Sequence, residues 1–73
     1  MNNEKYIRAL GKQIDKIRVE KGLSFQQMAL ECEMDKAQVY KLCTEGINTT
    51  AVTLLKISKG LKVPIADLFN FKY

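Results

Sequence analysis

Seventy-three residues, 47% of them hydrophobic and 27% charged, can build one small core but not two, and this much apolar material excludes a disordered chain. A formal net charge of +4 is compatible with a polyanionic partner without requiring one. Two cysteines without a histidine exclude a dense disulfide scaffold and a standard zinc site, and no apolar run approaches the roughly eighteen residues of a membrane span. These limits predict a single cytoplasmic domain over residues 1–73, with no metal and no cofactor.

The pattern is helical along the whole chain. Ile7, Leu10, Ile14 and Ile17 recur at three- and four-residue steps and so share one stripe, while Lys5, Arg8, Lys12 and Lys16 fall on the wetter faces. With Asn2 or Asn3 as a cap and Gly22 as a left-handed stop, the first helix covers about residues 3–21. Ser24 and Gln27 have the spacing of a capping box and open a second helix that runs to Cys32. Asp35 and Gln38 repeat that spacing, which predicts two short helices joined by a tight turn at Cys32, Glu33 and Met34. The third helix runs to Thr44, and Gly46 with Asn48 marks a loop. Thr49 or Thr50 then caps a fourth helix carrying Val52, Leu54, Leu55, Ile57 and Leu61. Pro64 suits the first turn of a fifth, short helix with Ile65, Leu68 and Phe69 as its apolar residues.

Several stretches carry a common signature. They are Ile17 to Ser24 at the first helix end, the Met28-Ala29 pair, Met34-Asp35 before the third helix, and Val39 and Leu42 facing inward on it. Leu54 to Leu61 and Pro64 to Phe69 complete the set. In order and spacing, from Leu10 to Phe69, the chain resembles the lambda-repressor-like, Cro-type helix-turn-helix family. The resemblance implies an all-α, compact five-helix DNA-binding domain with the helix-turn-helix at the second and third helices. It also implies sequence-specific binding to double-stranded DNA by a transcriptional regulator. Four positions depart from the family pattern: Glu33 and Lys62 stand where glycine is usual, Phe25 replaces a glutamine that touches phosphate, and Cys43 replaces a glutamate that pairs with the arginine at Arg18. Arg18 therefore needs another partner, such as Glu45 or water, or must turn outward.

With Val39 and Leu42 inward, a rotation of about 100° per residue places Ala37, Lys41 and Thr44 on the opposite face and Tyr40 to one side. The resemblance implies that the start of this helix enters the major groove most deeply, which adds Lys36 and Gln38. Lys36 and Lys41 suit guanine, Gln38 suits adenine, and the Ala37 methyl suits thymine. Phosphate contacts are expected from Ser24, Gln26, Asn48, Thr49 and Thr50, because free amides at helix starts attract anions, and from Tyr40 and Thr44 on the outer side of the third helix. Each has a plainer reading: the lysines as solvated surface residues, Tyr40 as surface cover, and Gln27 and Gln38 as caps. Cys32 and Cys43 read as packing residues. Phe69 is assigned to the core, and Phe71 and Tyr73 to a partner surface.

The leading expectation is a homodimer on a pseudo-palindromic operator, without a membrane or small-molecule partner. The alternative is a protein-interaction module that keeps the scaffold with weak or lost DNA binding. Its motives are Phe25, Glu33 and the balanced charge of residues 35–46. An enzyme is not expected, since no histidine, phosphate loop or carboxylate cluster is present to carry acid/base work.

Overall fold

The protein's structure is a computed structural model describing residues 3–72, so the candidate cap Asn2 and the candidate partner aromatic Tyr73 lie outside the described residues. Five helices follow in chain order: α1 Asn3–Glu20, α2 Phe25–Cys32, α3 Lys36–Thr44, α4 Ala51–Leu61 and α5 Ile65–Leu68.

Three of these helices stop in the same way. After α1, Gly22 adopts φ +71, and the Leu23 amide donates back to the Arg18 carbonyl at 3.1 Å. Glu33 after α2 (φ 55, ψ 48) and Lys62 after α4 (φ 60, ψ 45) repeat the left-handed stop with a full side chain. The closing bonds there are Met34 N–H to the Ala29 carbonyl, 2.9 Å, and Val63 N–H to the Ser58 carbonyl, 3.1 Å.

The helix starts follow the capping signals, with one exception. Ser24 Oγ accepts from the Gln27 amide at 3.1 Å while Gln27 Oε1 accepts from the Ser24 amide at 2.8 Å, a complete capping box. Thr50, rather than Thr49, caps α4 and accepts from the Thr53 amide at 3.2 Å. Asp35 has the extended cap backbone but makes no side-chain cap bond, so the second capping box is not formed. Its carbonyl still accepts the first helical bond from Val39, which suffices to start α3.

One core unites the helices: Leu10, Ile14 and Ile17 of α1 meet Met28 and Cys32 of α2, Val39 and Leu42 of α3, Ile57 and Leu61 of α4, and Leu68 of α5. Each large aliphatic side chain buried there contributes about 1.5–3 kcal/mol. α3 rests on α1 and α2, α2 on α4, and α5 on α1 and α4. Two glycines set the spacing. A Cβ at Gly11 would overlap the Leu42 carbonyl oxygen of α3, and one at Gly60 would overlap Cys32 Sγ and stand 2.8 Å from the Glu31 carbonyl of α2. The helix-turn-helix pair is thus gripped from both sides at backbone contact.

The apolar residues of α4 and α5 divide differently from the sequence reading. Val52 and Leu55 are 64% and 48% exposed, because α2 covers only the Ile57–Leu61 side of α4. Phe69 is exposed rather than in the core. Phe71 instead packs against the core and meets the Tyr6 ring edge to face at 5.5 Å. The short α5 accounts for the exchange: Gln13 Nε2 donates to the Asp67 carbonyl at 2.9 Å, and this anchors the turn so that Leu68 points inward and Phe69 out. Among the described residues no helix is long and apolar enough to cross a membrane.

Candidate nucleic-acid interface

α2, the Glu33 turn and α3 form a continuous unit whose second helix stands at the surface. Val39 and Leu42 are fully buried and Cys43 nearly so, while Lys36, Ala37, Gln38, Lys41 and Thr44 are exposed. The four expected base readers therefore lie together on the open side of a well-anchored helix. Gln38 makes no cap bond, so the competition between capping and contact is absent and its amide is available.

The phosphate candidates differ in what their side chains can still offer. Ser24 Oγ accepts in the capping box but keeps its proton to donate, and Gln26 and Asn48 are exposed. Thr44 Oγ1 already donates to its own Tyr40 carbonyl at 2.7 Å, and Thr50 Oγ1 donates to Thr53 Oγ1 at 3.0 Å. Thr49 is turned inward: Oγ1 is buried without a hydrogen-bond partner among the described residues. Ser24, Gln26 and Asn48 are the better donors.

Arg18 pairs with Asp15 and not with Glu45, and it does not turn outward. Its side chain is only 14% exposed and pairs with Asp15, one turn earlier on α1, through a 2.9 Å contact to Oδ1. Nη1 donates to the Leu23 carbonyl at 2.7 Å, and the guanidinium lies 4.1 Å over the Phe25 ring. Phe25 in turn meets Tyr40 edge to face at 5.3 Å. Phe25 thus joins the start of α2 to the middle of α3 and leaves Tyr40 half exposed beside the reading face. An i, i+3 carboxylate on the same helix was a legible signal for the Asp15 pair. The aromatic bridge needs the tertiary packing.

Cys43 sits beside this group. Burial pushes its thiol up to about 12, with Asp15 adding to the shift and Arg18 opposing it. Burial, reinforced by Glu31, raises Cys32 to about 11. Both cysteines are free and buried. Among the described residues no three metal-ligating side chains come together.

Two short helices at a tight turn, the second buried on one side and open on the other, define a helix-turn-helix DNA-binding domain. The family model for the Cro/C1-type helix-turn-helix DNA-binding domain matches residues 13–72, and the chain belongs to that family. The fold is similar to the crystal structure of the restriction-modification controller protein C.AhdI from Aeromonas hydrophila, with a TM-score of 0.82 and 25% identity, over 86% of this chain and 96% of that one. No curated protein matches the sequence.

Proposed function

We propose that this chain is a transcriptional regulator that binds double-stranded DNA sequence-specifically, as a homodimer on a pseudo-palindromic operator. The observation that carries the reading is the exposed, helical outer side of α3, with Lys36, Ala37, Gln38 and Lys41 unobstructed above a buried inner side. In this reading those four residues meet base edges, and Ser24, Gln26, Tyr40 and Asn48 hold the flanking phosphates. Likeness to a restriction-modification controller protein supports the reading as a regulator of transcription. The exposed Val52 and Leu55 of α4, with Ile65 of α5 and Phe69 just after it, each 39% exposed, supply apolar surface for pairing of two copies. Two unpaired thiols suit a reducing cytoplasm.

Selection from randomised duplexes, followed by titration at several salt concentrations, tests the proposal. Enriched sequences are expected to share an inverted repeat with half-sites about 34–36 Å apart. Lys41→Ala is expected to weaken binding to that operator by about 1–3 kcal/mol with helical content and melting temperature nearly unchanged. No binding even at low salt would favour the protein-interaction module, and undiminished binding by Lys41→Ala would remove that lysine from the reading face.

A further inference from the structure

We propose that the outward face of α1 is a second DNA-contacting surface, which holds the phosphate backbone of the same duplex beside the stretch that α3 reads. The inference rests on the DNA-binding reading above and extends it to a face that the helix-turn-helix does not include.

The charge distribution leads to it. An open groove along α1 is lined by Lys5, Arg8, Lys12, Lys16 and Lys72, with Glu4 as its one carboxylate. Those six residues account for the chain's net +4, and the other seven basic and seven acidic residues cancel. The segment from Asp35 to Gly46 is itself neutral, since Asp35 and Glu45 offset Lys36 and Lys41. The long-range attraction for a polyanion is therefore centred on α1, not on the reading helix. Arg8, Lys12, Lys16 and Lys72 are exposed and make no ion pair with a described residue.

Geometry selects DNA over an acidic protein as the occupant. At 1.5 Å per residue, the cations from Lys5 to Lys16 extend over about 16 Å on one side of the helix. That stripe is continuous with the expected phosphate contacts. Arg8 and Lys12 share a depression with Thr44, Glu45 and Gly46 at the end of α3, and Arg8 shares another with Glu4, Glu45, Ile47 and Asn48 in the loop before α4, so a phosphate there meets the cations beside the Glu45 carboxylate. A strand passing Thr44 and Asn48 reaches Arg8 next and Lys12 after it. The lysines carry no base preference there and act as point charges that release counterions.

The test compares salt dependence of duplex binding by the parent, by the Lys12→Gln/Lys16→Gln variant, and by Lys59→Gln/Lys62→Gln, which removes equal charge at the far end of α4. The α1 variant is expected to lower the slope of log affinity against log salt by about 1.8 per bound subunit, and so about 3.6 for the proposed homodimer, at about 0.9 per cation lost, with the selected sequence unchanged. The α4 variant should keep the parental slope. The α1 difference should also vanish on duplexes trimmed to the bases that α3 covers. A parental slope in the α1 variant overturns the inference and reassigns the stripe to an acidic protein surface, and an equal loss in the α4 variant reduces it to overall charge. A parent that binds no duplex overturns the proposed function, and this inference with it.

Discussion

Glu33 and Lys62 occupy left-handed backbone, at φ 55 and φ 60, where a Cβ costs about 1–2 kcal/mol that glycine avoids. Glycine gives back part of that through the freer unfolded chain. Glu33→Gly and Lys62→Gly are therefore each expected to raise stability by about 0.5–1 kcal/mol, seen by circular dichroism as a melting temperature higher by a few degrees. A lower melting point in either variant would mean that its side chain contributes more than its backbone costs. The two thiols make a separate case. A thiol is neutral when protonated, so a raised pKa means that the folded state keeps a proton that the unfolded chain releases. The resulting stability is complete below about pH 9 and is lost as pH rises toward about 11 for Cys32 and about 12 for Cys43. Melting temperature is expected to fall above pH 9, and to fall less steeply in Cys43→Ala. At this scale, what could be read from sequence was local. The Ser24 and Gln27 box and the Thr50 cap depend on residues three apart, whereas the bridge from Arg18 through Phe25 to Tyr40 joins three helices and leaves no spacing to read.

The helices themselves were legible almost to their ends, because periodicity and caps are set within a turn or two of chain. What remained hidden was which apolar face would be covered. Val52 and Leu55 carry the same helical spacing signal as Ile57 and Leu61, and only the placement of α2 decides between them. The glycines were hidden in the same way, since close approach is a property of two helices. Gly11→Ala is the sharpest test: in an isolated helix it would gain about 1 kcal/mol, but here the methyl meets the Leu42 carbonyl. A net loss of about 1–3 kcal/mol is expected in chemical denaturation, with weaker operator binding as α3 is displaced. A stabilised Gly11→Ala protein would show that α1 and α3 can separate without harm.

For the whole molecule, two features remain outside the reading helix, the charged stripe along α1 and the exposed apolar side chains of α4 and of the α5 end. Leu55→Glu is expected to convert a dimer to monomer in sedimentation, and to weaken binding to a full inverted repeat far more than binding to one half-site. A dimer that survives the change would place pairing elsewhere. The main chain of α3 lies against α1 with no side chain between them at Gly11, and at Gly60 the α2 backbone and the small Cys32 side chain lie directly on α4. A helix seated on bare backbone has little room to tilt or slide toward an ill-fitting site. On the proposed reading, encounter with a duplex would then freeze mainly the long side chains of Lys36, Gln38 and Lys41. A mismatched base would then be answered by a lost contact and not by a reseated helix.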